Sequence, residues 1–259
     1  MQTITLPSLF ICHGSPMLAL EDSDYTRFLA ETGRRFQPKA IVLFSAHWEQ
    51  RIMTISFAEG PLQTIYDFGG FPDELYRLSY PAPGSPEMAT VLEERFRKNG
   101  IATQRDYGRG LDHGSWIFLR HMYPDASIPV VTISLNPFLP AEEQLRIGEA
   151  LKGLGEEDIL VIGSGTTVHN FNEIKFNQSE PEAWAVEFDD WIAEKIMNRD
   201  TAAIIQYERL APHARRAVPR AEHFVPLLHA YGSSSGHHQP KVLYSGYQFG
   251  TFSHICFEM

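Results

Sequence analysis

The sequence lacks the features that mark secreted, membrane-embedded or nucleic-acid-binding proteins. Its 259 residues include only two cysteines, Cys12 and Cys256. They form no disulfide framework, so a reducing compartment is the simplest expectation. No apolar run approaches the ~18 residues of a membrane span, and residues 1–5 lack the basic and apolar regions of a signal peptide. These absences predict a soluble, cytoplasmic protein.

The sequence also lacks an excess of positive charge. The net charge is -10, which excludes a general binder of the phosphate backbone but leaves room for a small anionic substrate. We therefore expect no nucleic-acid or membrane partner. Hydrophobic residues make up 43% of the chain, enough for a globular core. The length suits one large α/β domain or two small ones. We expect a single domain over residues 1–259, and a homo-oligomer is allowed.

Apolar runs alternate with amphipathic stretches along the chain. The pattern predicts strands at 8–12, 40–46, 53–57, 129–135, 158–162 and 241–244. It predicts helices at 22–36, 86–99, 115–122, 141–154, 181–199 and 221–231. This order indicates an α/β fold, with a central mostly parallel or mixed sheet flanked by helices. We expect residues 232–238 to form a mobile surface loop and residues 241–257 to form an antiparallel hairpin at the sheet edge.

Histidines follow three of the predicted strands. His13 and His47 come directly after apolar runs, and His169 follows another after a glycine-rich exit. Ligands bind outside the carboxyl ends of strands in open α/β sheets, so these side chains can converge there. Each histidine taken alone could be a packing residue. Together they predict a metalloenzyme, because imidazole is the commonest metal ligand in proteins.

Two further histidines lie where they can join this site. His113 precedes a predicted helix and can donate a hydrogen bond to substrate, although Asp112 or Ser115 could instead simply cap that helix. His223 opens the helix at 221–231. His229, six residues later, is expected to pack in the core, since it falls on a different helix face.

Six short segments, taken in chain order, resemble the DOPA-dioxygenase branch of the class III extradiol ring-cleavage dioxygenases. They are His13-Gly14-Ser15-Pro16, Ser45-Ala46-His47-Trp48, Tyr66-Asp67-Phe68-Gly69-Gly70-Phe71-Pro72, Leu111-Asp112-His113-Gly114, Val168-His169-Asn170 and Glu222-His223-Phe224. Each is weak alone, but the six together span nearly the whole chain. The resemblance implies a single α/β domain that uses O₂ to split a catechol ring at a non-haem Fe(II).

The resemblance also implies roles for individual residues. His13 and His47 match metal ligands, and the third ligand is Glu222 or His223, of which we choose His223 because this branch uses a histidine. His169 matches the general acid/base and His113 the histidine that orients substrate. Zn(II) can occupy the same three imidazoles, but it lacks redox chemistry and would stand in for iron. Direct contact of Glu222 or His169 with the metal stays open.

The aromatic and glycine-rich segment at 66–72 is expected to form a loop over the pocket. Tyr66 and Phe68 from this loop, with Ser15 from the first histidine segment, are the candidate substrate-binding residues. The glycines would supply hinge freedom to a lid. An ordinary surface turn with buried aromatic side chains is the alternative.

Two other functions fit part of this pattern. Three histidines with an open position also describe a hydrolytic zinc site, and a non-enzymatic binding protein could share the fold. The sequence leaves open which catechol is used, whether cleavage is 2,3 or 4,5, the oligomeric state and the physiological role.

Overall fold

The computed structural model describes residues 5–259. Residues 1–4, on which the signal-peptide expectation partly rests, lie outside the described residues. The described chain contains ten strands: β1 (Leu9–Cys12), β2 (Ala40–Glu49), β3 (Thr54–Ser56), β4 (Gln104–Asp106), β5 (Val130–Leu135), β6 (Ile159–Gly165), β7 (Lys241–Tyr244), β8 (Tyr247–Gln248), β9 (Phe252–Ser253) and β10 (Cys256–Glu258).

Eight of these strands form one mixed sheet in the order β4-β3-β5-β2-β6-β1-β10-β7. The central strands β5, β2, β6 and β1 are parallel. The strand β10 pairs antiparallel with both β1 and β7, and β3 pairs antiparallel with β5. The strands β8 and β9 form a separate two-stranded sheet. The predicted α/β fold with a mixed central sheet is confirmed.

The strands are connected by nine α-helices within residues 5–259: α1 (Asp24–Arg35), α2 (Pro86–Lys98), α3 (His113–Met122), α4 (Ala141–Glu149), α5 (Ala183–Met197), α6 (Thr201–Ile204), α7 (Tyr207–Leu210), α8 (Ala214–Ala217) and α9 (Val225–Ser233). Short 3-10 helices occur at Pro16–Leu20, Leu75–Arg77, Leu154–Glu157, Phe171–Glu173 and Ala221–His223. None of the helices in the described chain has the length and apolarity needed to cross a membrane.

Local sequence accounts for the helix ends. In α1 the Ser23 side chain accepts from the Thr26 backbone N–H, and the Thr26 side chain accepts from the Ser23 backbone N–H, as in a capping box. The helix α2 begins at Pro86, which needs no partner for an N–H at that position. It is followed by Asn99 and by Gly100, whose φ of +72° suits glycine.

Helices cover both faces of the sheet, so neighbouring residues on the central strands enter different cores. In β1, Phe10 packs with Phe188 of α5, whereas Ile11 packs with Leu29 of α1 and Trp116 of α3. Side chains alternate across a strand, so a strand buried on both sides reads as a continuous apolar run. This is why the central strands were predictable.

Several predicted boundaries were wrong. The antiparallel pair expected from 241–257 is present at the sheet edge, where β7 pairs with β10, but it is not a simple hairpin because β8 and β9 lie between the two strands. Gly232 and Ser233 belong to α9 and Ser234 is buried, so the exposed part of the expected surface loop is shorter than 232–238. The strand β4 was not predicted, since its three residues carry no apolar pattern.

Candidate active site

The site lies where three adjacent parallel strands end. Cys12 of β1 is paired with Gly165 of β6, and Ser164 of β6 is paired with Ser45 of β2. These pairs form a row across the three strands. His13 is the next residue after this row on β1, and His47 is the second residue after it on β2. The register therefore brings both imidazoles to the same edge of the sheet, as their positions in the sequence predicted.

The strand β2 is irregular near its end, around His47. The pairing of β2 with β5 is continuous up to Phe44 and resumes only at Glu49, with a shift in register between them. A bulge of this kind re-aims the side chains that it carries. His47 lies within this irregular stretch, so its imidazole is directed by the bulge.

Two glycines of β6 bring His223 to the sheet. A Cβ on Gly163 would lie 2.0 Å from Pro226 O, and a Cβ on Gly165 would lie 2.1 Å from His223 O. The Thr166 N–H donates to His223 O at 3.0 Å. The glycine-rich exit of this strand thus allows the segment that carries His223 to pack directly on the strand.

Three of the predicted residues converge on one point. His47 Nε2 lies 3.1 Å from His13 Nε2 and 3.3 Å from His223 Nε2. Two nitrogen ligands that are each ~2.1 Å from one ion, at angles of ~90–110°, lie ~3.0–3.4 Å apart. Both of these distances to His47 therefore fit nitrogen atoms that share a metal ion.

The opposite nitrogen of each ring faces a protein group. His13 Nδ1 lies 3.0 Å from Ser164 Oγ, whose own proton is donated to Gly114 O. His223 Nδ1 lies 3.1 Å from Glu222 Oε1, and His47 Nδ1 lies 3.6 Å from Asp67 Oδ2.

These partners assign the protons of two of the rings. Ser164 Oγ donates its own proton elsewhere, and a carboxylate can only accept, so the neutral rings of His13 and His223 carry their protons on Nδ1. Their Nε2 lone pairs then both face His47 Nε2 at little more than 3 Å. A bound cation can be shared by these nitrogen atoms, and partners of this type are usual for metal-ligating histidines.

His169 and His113 lie on either side of this cluster. The His169 ring is stacked on that of His223, with centroids 3.5 Å apart, and its Nδ1 is 3.7 Å from Glu222 Oε1. His113 Nδ1 lies 2.9 Å from Asp67 Oδ2, and the ring centroid is 3.8 Å from that of His47. In its neutral form His113 therefore presents a lone pair at Nε2, rather than the donor expected from the sequence.

The geometry leaves room for other ligand sets. Ligand atoms of His13, His47 and His113 lie within 4.8 Å of one another, and so do those of His169, Glu222 and His223. In the second set, Glu222 Oε2 is buried without a hydrogen-bond partner. Both sets share members with the predicted one, so all six groups border one metal-binding region.

Burial keeps four of these imidazoles neutral. It lowers the pKa of His47 to about 4, reinforced by the charge of His113, and it lowers the pKa of His169 to about 4 despite the nearby Glu222. The pKa values of His13 and His223 are also well below the ordinary value, first because of burial and then because other histidines crowd them. Neutral imidazole is the form that binds metal.

Asp67 carries the opposite charge beside this cluster. Burial alone would raise the pKa of its carboxyl, but hydrogen bonds from the His113 ring and backbone N–H outweigh that effect and lower it to about 2. Asp67 belongs to the predicted loop at 66–72, yet its role was missed because the sequence does not reveal which histidine it contacts.

The cluster forms the floor of a cavity of about 580 Å³. Phe68 and Ser15 line it, as expected, and Phe71 of the same loop does so too. Tyr66 does not line it: its hydroxyl donates to Leu78 O at 2.5 Å, behind Phe68. The remaining wall was not predicted, and consists of Gly14, Pro16, Met17, Phe171, Ile174, Phe176, Phe249 and Phe252.

Asp112 is a buried carboxylate beside the site, although the sequence suggested only a helix cap for it. Its side chain makes no cap hydrogen bond and accepts instead from Ser45, Ser115 and Arg109. Because Ser45 Oγ in turn accepts from the His47 N–H at 3.2 Å, this buried carboxylate helps to fix the β2 bulge.

Residues 7–257 match the protein family described as the catalytic LigB subunit of aromatic ring-opening dioxygenase. The chain belongs to this family. It is 36% identical to "4,5-DOPA dioxygenase extradiol" of Beta vulgaris, covering 95% of this chain and 94% of that protein. It is 35% identical to the protein of the same name from Escherichia coli (strain K12), covering 100% of this chain and 96% of that protein.

A solved structure shares the fold of this aromatic ring-opening dioxygenase. The crystal structure of an uncharacterized protein from Escherichia coli K12 superposes with a TM-score of 0.83 at 32% identity, covering 98% of this chain and 99% of that one. The protein is thus an extradiol dioxygenase that opens a catechol ring with O₂, as the sequence predicted. The family implies a non-haem metal site, and the histidine cluster supplies residues that can bind metal.

Proposed function

We propose that this dioxygenase works with Fe(II) held by His13, His47 and His223. The observation that carries the proposal is the approach of His13 Nε2 and His223 Nε2 to His47 Nε2, at 3.1 and 3.3 Å, with the rings of His13 and His223 oriented by Nδ1 partners. Bound Fe(II) would supply the redox chemistry toward O₂ that Zn(II) lacks. Zn(II) would fill the same nitrogen set without supporting ring cleavage.

His169 serves as the acid/base in this proposal. It lines the cavity beside His223, and it is neutral at pH 7 because burial lowers its pKa to about 4. A neutral imidazole within reach of a catechol hydroxyl can accept its proton and return it later. Glu222, 3.7 Å from His169 Nδ1, favours the imidazolium that this transfer creates.

His113 orients the substrate. Asp67 holds its Nδ1 proton, so its Nε2 accepts a hydrogen bond from the second catechol hydroxyl. Phe68 and Phe71 cover the ring and exclude water, which strengthens the polar contacts beneath them. Catechols of the DOPA, caffeate and protocatechuate types are the first substrates to test, since the relatives carry the name DOPA dioxygenase.

Oxygen uptake by metal-stripped protein reloaded anaerobically with Fe(II) or Zn(II) tests the proposal. With Fe(II) and a catechol we expect stoichiometric oxygen consumption and a new yellow chromophore, whereas the Zn(II) form should give neither. Equal uptake with both metals, or none with any catechol despite bound iron, would contradict it and favour the zinc hydrolase or a binding protein.

Alanine variants test the assigned roles. His13→Ala and His47→Ala should lose bound metal while the fold persists. His169→Ala should keep metal and catechol binding but lose turnover by ~10²–10⁴-fold. The exposed His237, with 63% of its side chain accessible, provides the matched control His237→Ala, which should change neither quantity. Full metal content in both ligand variants would remove these residues from the metal site.

A further inference from the structure

The wall of the cavity that faces away from the histidines is strongly apolar. Phe171, Ile174 and Phe176 form one side of it, and Phe249 and Phe252 form another. The rings of Phe176 and Phe249 are in contact, with centroids 5.2 Å apart. An apolar surface therefore continues from the metal-binding region to the cavity mouth.

This wall also contains no charged group. Among residues 5–259, no lysine, arginine, aspartate or glutamate lines the cavity. Three cations on neighbouring segments are paired with carboxylates: Lys175 with Glu182, Arg216 with Glu173, and Arg220 with Glu49. An amino-acid or carboxylate substituent would thus lose its hydration without gaining an ionic partner, which is unfavourable.

The mouth exposes large apolar side chains that a ligand can cover. Phe171 is 70% exposed and Phe176 is 74% exposed. Both lie on the cavity side of the segment that follows His169, and the Phe171 ring centroid is 4.8 Å from that of His169. A substituent on a catechol bound at the histidines would reach these rings before it reached solvent.

We propose that the substrate of this dioxygenase is a catechol with an uncharged, apolar substituent, which packs on Phe171, Phe176 and Phe249. This rests on the proposed function, because it places the catechol hydroxyls at the histidine cluster. This proposed substrate differs from DOPA, the zwitterionic catechol that appears in the names of the relatives. Each methylene that the wall buries strengthens binding by about four-fold.

Two catechols of matched shape test the proposal. The side chain of 3-(3,4-dihydroxyphenyl)propanoate ends in a carboxylate. The side chain of 4-(3-methylbutyl)catechol has the same shape but ends in two methyl groups. Their Kd values are measured by calorimetry on Fe(II)-loaded protein without oxygen, with L-DOPA as a third probe. Both members of the pair present the same hydroxyls, so the ratio of their Kd values reports the substituent. We expect at least ten-fold tighter binding of the alkyl compound.

A pair of surface variants locates the effect. Phe176→Ser should reduce the preference for the alkyl compound by about three-fold or more. Phe138→Ser provides the control, because Phe138 is 81% exposed but lies outside this cavity, and it should leave the preference unchanged. Equal loss in both variants would overturn the assignment to this wall.

The ratio of Kd values tests the apolar substrate, and the oxygen-uptake assay tests the proposed function, so the two proposals can be contradicted separately. Equal or tighter binding of the propanoate, with oxygen uptake intact, would overturn the apolar substrate and leave the proposed function standing. A ten-fold preference for the alkyl compound without oxygen uptake would support the apolar wall and overturn the proposed function.

Discussion

Substitution of Gly114 by alanine tests the placement of His47 by steric exclusion alone. A Cβ on Gly114 would lie 2.7 Å from His47 Cδ2 and 2.9 Å from Ser45 Oγ, whereas ordinary contact begins at 3.4 Å. Ser45 cannot easily retreat, because its hydroxyl donates to the buried Asp112 at 2.6 Å. The imidazole must therefore move by about 0.7 Å, since atoms this close repel steeply.

This displacement is large on the scale of a metal site. Ligand distances must hold to within about 0.2 Å of their ideal values. Gly114→Ala should thus lower metal affinity by ten-fold or more, a loss typical of disturbed supporting residues. Helix propensity alone predicts that the same substitution makes the fold more stable, because alanine is favoured over glycine in a helix such as α3 by up to about 1 kcal/mol.

Chelator competition with Fe(II) and Zn(II) measures the affinity, and thermal melting of the metal-free protein measures the fold. Gly108→Ala is the matched control, since a Cβ there would meet only Asp106 Oδ1 at 3.8 Å. We expect weaker metal binding in Gly114→Ala, a melting temperature within a few degrees of the parent, and no change in the control. Unchanged metal affinity together with unchanged turnover would refute the proposed position of His47.

Three further predictions follow from groups around the cluster. Asp67→Asn should lower kcat by about ten-fold or more, because the amide no longer fixes the proton on His113 Nδ1; parental kcat at equal metal content would contradict this. Ser164→Ala should weaken metal binding about ten-fold in chelator competition, since His13 Nδ1 loses its acceptor. Burial raises the pKa of Asp189 from 3.8 to about 6, against hydrogen bonds that lower it. The native state therefore holds this proton more tightly, and stability falls by about 3 kcal/mol in all as pH rises from about 3 to about 7. Urea unfolding of Asp189→Asn should lack that part of the pH slope.

The sequence predicted the convergence of the histidines better than the rest of the site, for a physical reason. The strands that place His13 and His47 are buried on both faces, so their continuous apolar runs stand out in the sequence. Parallel strands share a carboxyl edge, and the fold class alone then brings their following residues together. The bulge in β2 and the close packing of His223 on Gly165 could not be predicted, because both depend on contacts between distant segments.

The groups that orient the histidines were harder to predict than the histidines. Asp67 and Glu222 both lie in segments that drew attention, but nothing in either segment indicates which ring each carboxylate contacts. Tyr66 was chosen as a substrate contact on its aromatic character, and its hydroxyl instead donates to a backbone carbonyl. An aromatic residue beside a site can pack or bind, and only the tertiary structure decides between these roles.

The cavity has a part that could be predicted, the histidine floor, and a part that could not, the aromatic outer wall. The histidine floor follows the ends of the central strands, whose positions are fixed by three packed hydrophobic clusters on the two faces of the sheet. The outer wall comes from Phe171, Phe176 and Phe249, which lie in connecting segments and follow no periodic pattern. Loops can vary while a scaffold is kept. A member of this family can therefore retain the ring-opening chemistry while its outer wall selects a different substituent, and this is the physical basis of the apolar substrate that we propose for this chain.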